Sequence, residues 1–144
     1  MSISCVVIDA GARYGLHPSW ADMRNLAEFH LFEMDEVEAE RLARKYAKDS
    51  NIAVYPIALY KENATLRFKV SAHQALNSLF STNDDVLQRN EYMIRDFAVQ
   101  DERTAQARSI DSLFEGKDVH FLKLDIEGAE LAILQAMRNA CLFD

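Results

Sequence analysis

Ile3-Ser4-Cys5-Val6-Val7-Ile8-Asp9, running on into Ala10-Gly11-Ala12-Arg13-Tyr14-Gly15, decides how the rest of the chain reads. The run is rich in β-branched residues, ends in an acid and meets a glycine. A short apolar run bounded by a turn residue is the pattern of a strand buried on both faces, as in parallel sheets. Small residues in the turn that follows let backbone come close to a bound ligand, and the amides of a following helix would favour an electron-rich group. The pattern returns at Val119-His120-Phe121-Leu122-Lys123-Leu124-Asp125, again strand-prone and again closed by an acid.

Between these runs the chain alternates. Pro18-Ser19-Trp20 can open a helix that carries Trp20, Met23, Leu26 and Ala27 at spacings of three and four and ends near Phe29. His30-Leu31-Phe32-Glu33 reads as a second strand. Asp35-Glu36-Val37-Glu38 has an N-cap acid with a Glu three residues on, the capping-box pattern, and opens a helix with Ala39, Leu42, Ala43 and Tyr46 inward. Residues 51–57 form a third strand and 119–125 a fourth. Such alternation with short connections signals βαβ units and a parallel sheet. The fold class is α/β, in one domain spanning 1–144.

The remainder is less regular. Residues 59–70 read as a hairpin appended to strand three, with Lys61-Glu62-Asn63 as its turn. Residues 71–96 read as a long loop with a short helix around 86–92, and loops of that length are often functional. Residues 97–110 mix strand-forming and charged side chains, 111–114 make a helical turn, and Gly116-Lys117-Asp118 a turn. A helix over 127–140 places Ala129, Ala132, Ile133, Ala136 and Met137 on one face.

Composition narrows the classes. The chain carries 23 acidic against 16 basic residues, a net charge of -7, with Lys and Arg scattered, so a nucleic-acid partner is not expected. No apolar run approaches the ~20 residues that cross a bilayer, and no basic segment precedes an apolar one at the N-terminus. Cys5 and Cys141, far apart and without metal-ligand spacing, read as reduced thiols of a cytoplasmic protein, and no metal site is expected. His17, His30, His73 and His120 show no spacing that singles one out.

In an open parallel sheet, ligands sit beyond the carboxyl ends of the strands. Asp9, Glu33 and Asp125 each end a strand, so all three should lie along one rim. Glu33 follows Asp9 by 24 residues, near the offset of ~20 at which a strand-two acid meets ribose hydroxyls, and a carboxylate can accept two hydrogen bonds from a diol. Only Gly11 and Gly15 occupy the first loop, which is not the GxGxxG of dinucleotide binders and disfavours a nicotinamide-dependent oxidoreductase. The plain alternative for each acid is a cap or a loop-amide acceptor.

Several segments resemble the successive motifs of FkbM-type methyltransferases, in that family's order: Val7-Ile8-Asp9-Ala10-Gly11-Ala12-Arg13-Tyr14-Gly15-Leu16, Phe32-Glu33-Met34-Asp35, Tyr55-Pro56-Ile57-Ala58-Leu59, Asn77-Ser78-Leu79-Phe80, and Phe121-Leu122-Lys123-Leu124-Asp125-Ile126-Glu127-Gly128-Ala129-Glu130-Leu131. The last is the most specific. The resemblance implies a Rossmann-like class I methyltransferase sheet that binds S-adenosylmethionine and methylates a hydroxyl of a small molecule, sugar or glycolipid. It implies Asp9, Ala10, Gly11, Ala12 and Gly15 along the methionine part, Glu33 on the ribose diol, Met34 against adenine, and Asp125 and Glu127 beside the transferred methyl. Arg13 stands where that loop commonly carries Asn.

Members of the family continue past the helix after strand four, so the resemblance implies that the C-terminal strands are missing and the domain is partial. Strand four would then be a sheet edge through which a homodimer could form. A non-catalytic nucleoside-binding or interaction domain that keeps the fold is the rival reading.

Overall fold

A computed structural model of the chain describes residues 5–138. Ile3, Ser4, Cys141 and positions 139–140 lie outside the described residues, and among the described residues the helix expected over 127–140 covers only Glu130–Ala136 and gives way to extended backbone at Met137. Strands β1 (Cys5–Ala10), β2 (Ala27–Phe32), β3 (Ile52–Tyr55) and β7 (Phe121–Leu124) form one sheet in the order β3-β2-β1-β7, every pair parallel. The expected α/β class with a parallel central sheet is what the chain adopts.

Both faces of this sheet are covered, which is why its strands read as continuous apolar runs rather than alternating ones. Alternate residues still part company. Val7, Phe29 and Leu31 pack with Leu42, Tyr46 and Ile52 on one side, where helix α1 (Glu36–Lys45) lies. Ile8, Ala10 and Phe32 pack on the other with Ile110 of α4 (Ile110–Leu113), Phe114 and Ile133 of α5 (Glu130–Ala136). Each Leu, Ile or Phe buried here is worth about 1.5–3 kcal/mol.

Asp35 caps α1, accepting from the Val37 and Glu38 amides at 3.1 and 3.4 Å. The reciprocal bond of a capping box is made by a different residue. The Asp35 amide donates to Glu33 at 2.8 Å, while the Glu38 carboxylate turns to Arg41 and Arg13. Ala39, Leu42 and Tyr46 are buried as expected, and Ala43 is exposed because it lies one position off the packed stripe.

Three local expectations are corrected. Residues 18–23 make only a 3-10 helix, and the chain from Ala27 is already β2, paired to β1 from Cys5↔Ala27 onward. Ladder pairing overrides helical spacing there. Lys61-Glu62-Asn63 is not a hairpin turn: β4 (Ala58–Leu59) and β5 (Ala64–Ser71) do not pair with each other, because β6 (Val99–Arg108) lies between them in a second sheet, parallel to β4 and antiparallel to β5. The inserted antiparallel pair is therefore β5 with β6. The expected loop between them carries two short helices, α2 (Asp84–Leu87) and α3 (Glu91–Asp96), rather than one.

Candidate functional site

The carboxyl ends of β1, β2 and β7 open into a cleft of about 190 Å3, whose far wall is residues 74–79 of the insertion. Ala10, Gly11, Glu33, Met34, Asp125 and Glu127 border it, together with Arg13, Tyr14, Ile57, Gln74, Asn77 and Leu79. Six residues from three strand ends thus meet as the sequence suggested.

Asp9, Ala12 and Gly15 do not border the cleft. Asp9 is 1% exposed, and its carboxylate accepts from Lys123 Nζ at 2.9 Å and Trp20 Nε1 at 3.3 Å, so its oxygens are spent inside the protein. Ala12 belongs to the core beside α1. Gly15, at φ 92°, gives room to Tyr46: a Cβ there would stand 2.5 Å from the Tyr46 hydroxyl, which accepts from the Leu16 amide. No α-helix follows the first loop to aim amides at a ligand. The Gly11 and Ala12 amides both donate to the Phe32 carbonyl, at 3.0 and 3.1 Å.

Gly11 serves by closeness instead. At φ 77°, its missing Cβ would lie 1.9 Å from the Asp125 carbonyl oxygen, so only glycine lets the loops after β1 and β7 touch.

Glu33 is 7% exposed. Its Oε1 holds the Asp35 amide, while Oε2 makes no hydrogen bond among the described residues. Burial is the largest influence on this carboxyl and raises its pKa, against the lowering effects of the Asp35 amide and Arg13. Arg13 resolves the question raised by its unusual place in the loop. It reaches Asp35 at 3.8 Å, Glu38 at 3.5 Å and the Gln74 side chain, and so ties the β1 loop to the α1 N-terminus and to the insertion across the cleft mouth.

The loop after β7 is held from both sides. Glu127 sits at φ 57°, a left-handed conformation that costs a non-glycine residue about 1–2 kcal/mol. The Ser78 hydroxyl donates to its carbonyl at 2.9 Å. The Glu130 carboxylate accepts from the Ile126 and Gly128 amides at 3.0 and 2.8 Å. Burial would raise the Glu130 pKa, but backbone amide bonds, those from Ile126 and Gly128 among them, outweigh it and hold the pKa below the ordinary value. Glu127 is shifted the other way, raised by burial and then by Asp125 and Glu130. Asp125 is 71% exposed at the side chain, with Lys123 Nζ 3.8 Å away.

Sequence reasoning missed Gln74, Asn77, Ser78 and Glu130 as site residues. The long insertion was the available signal, but its partners lie 49 and 61 positions away. The histidines stay outside the cleft: His17 accepts from the Ser19 amide, His120 from the Val6 amide, and His30 packs among Tyr55 and Phe114. Burial lowers the His30 pKa. Among the described residues no cluster of His, Cys, Asp and Glu could hold a metal ion, and no helix is long and apolar enough to cross a membrane.

Fold and cleft define a Rossmann-like α/β domain with a cleft beyond the carboxyl ends of its strands. The chain belongs to the FkbM methyltransferase family: the model of the methyltransferase FkbM domain matches residues 9–142. Its fold is similar to that of the crystal structure of methyltransferase FkbM from Methylobacillus flagellatus KT, with a TM-score of 0.56 and 19% identity over 92% of this chain. The chain spans 28% of that protein's length. No curated protein gives a significant sequence match.

Proposed function

We propose that the cleft binds S-adenosylmethionine and that the domain transfers its methyl group to a hydroxyl of a small molecule, sugar or glycolipid. The observation that carries this reading is Glu33: a buried strand-two carboxylate with one oxygen fixed on a backbone amide and the other unpartnered at the cleft. That is an arrangement suited to a diol. Met34, Ile57 and Leu79 offer apolar walls for the base, and Gly11, without a side chain, and Ala10, with only a methyl, offer accessible backbone for the methionine part.

The bound group would supply an activated methyl on a sulfonium, so the protein has to align the acceptor and take its proton. Asp125 and Glu127, on a loop braced by Ser78 and Glu130, are the groups placed for this. The raised pKa of Glu127 makes its carboxylate a stronger base than an ordinary glutamate. Asp125 could orient the hydroxyl or take the proton itself.

The test is transfer of label from methyl-tritiated S-adenosylmethionine to a panel of sugars and small alcohols. Asp125→Asn is expected to slow transfer by about a hundredfold or more while leaving cofactor affinity unchanged. Equal rates would remove Asp125 from the chemistry. One observation favours a second reading, a nucleoside-binding domain without catalysis: Asp125 and Glu127 are exposed, so described residues do not enclose the acceptor side. Cofactor binding with no transfer to any acceptor would support it.

A further inference from the structure

Asn77 is 7% exposed and borders the cleft, and its side-chain nitrogen Nδ2 is buried without a hydrogen-bond partner. A buried donor left unmade costs about 1–3 kcal/mol, so native proteins seldom leave one without a use. The orientation of the amide is not arbitrary. Oδ1 accepts from the Ser71 amide at 3.0 Å, a bond that only the oxygen can make, so the NH2 group is the end left over.

The neighbours say which part of a ligand it would meet. Residue 78 bridges antiparallel to Lys69, and in an extended stretch alternate side chains share a side, so Asn77 and Leu79 point together and Ser78 points away. Ser78 goes to the Glu127 carbonyl, the side of the chemistry. Leu79 and Met34, backed by the buried cluster of Phe68, Val70 and Ala105, form an apolar end of the cleft. Asn77 therefore lies at the end suited to a flat aromatic base, beyond the reacting groups.

We propose that Asn77 is a specificity residue that donates through Nδ2 to a ring nitrogen of the cofactor's purine. The inference rests on the cofactor reading given above. With Oδ1 turned to the Ser71 amide, the end of the side chain left without a partner is the NH2 donor, so it reads a lone pair on the ring and not the exocyclic amino group.

Two measurements test this. Asn77→Asp keeps an oxygen for the Ser71 amide and replaces the donor by an acceptor. It is expected to bind S-adenosylhomocysteine at least about tenfold more weakly in calorimetric titration, with an unchanged circular dichroism spectrum. On the unaltered chain, one of the 1-deaza, 3-deaza and 7-deaza analogues of S-adenosylhomocysteine should lose a similar factor, a readout that needs no variant to fold. Equal affinity of a folded Asn77→Asp chain, or equal affinity for all three analogues and the parent, overturns the proposal and leaves the cofactor reading standing. Absence of S-adenosylhomocysteine binding by the folded unaltered chain overturns both.

Discussion

Gly11 and Gly116 share a left-handed backbone, at φ 77° and 71°, but not their surroundings. A Cβ on Gly116 would meet nothing within 4 Å, whereas one on Gly11 would run into the Asp125 carbonyl. Gly116→Ala should therefore cost only the backbone penalty of about 1–2 kcal/mol in urea unfolding. Gly11→Ala should cost clearly more and separate the β1 and β7 loops. Equal costs would mean that the loop contact carries no energy. Glu33 makes a second prediction at this scale. Its folded pKa is raised chiefly by burial, so its contribution favours folding below the ordinary value of 4.5 and is lost as pH rises through the folded value. At neutral pH the ionised group is a cost, and Glu33→Gln, which keeps an oxygen for the Asp35 amide, should melt higher than the parent. That advantage should shrink as pH falls toward 4.5. An advantage independent of pH would contradict the burial argument.

Among the elements, those with one dominant pattern were legible in the sequence. β1 and β7 announce themselves as apolar runs closed by an acid, and α1 by its Asp35 cap and its stripe of Ala39, Leu42 and Tyr46. Segments whose partners are distant were not. β6 shows an exposed, charged strand because both its faces meet water over 99–104 and only Ala105 and Ala107 turn inward, and nothing local tells that it pairs with both β4 and β5. Residues 27–29 satisfy a helical spacing and yet extend, since β1 offers them a ladder. The loop between β7 and α5 carries Asp125 and Glu127, the two groups proposed above for the chemistry. Glu130→Ala frees the Ile126 and Gly128 amides together, and amide exchange across 126–128 should speed up by about tenfold or more, for a loss of about 1.5 kcal/mol or more. Unchanged exchange would assign the bracing of Glu127 to Ser78 alone.

At the scale of the molecule, the parallel sheet places three acids from distant parts of the sequence at one rim, but only two of them face the cleft. Glu33 and Asp125 do, while Asp9 is turned inward and binds Lys123 and Trp20. The parallel sheet and its rim were readable from alternation, and the split was not, because it depends on a lysine 114 residues away. β7 is the outermost strand of its sheet among the described residues, with Phe121 42% exposed beside Trp20. An edge of this kind offers unpaired backbone groups with which another strand can pair. Phe121→Lys should reduce concentration-dependent self-association in sedimentation. An identical sedimentation profile would show that this edge does not pair copies of the chain.

The most direct test of the central claim is calorimetric titration of the folded chain with S-adenosylhomocysteine, repeated on Glu33→Gln. The account predicts saturable binding by the parent chain and a loss of about tenfold or more in the variant, since the Gln oxygen kept by the Asp35 amide leaves an NH2 donor facing the ribose diol where the carboxylate presents its free acceptor Oε2. No binding by the folded parent, or equal binding by both, would contradict it.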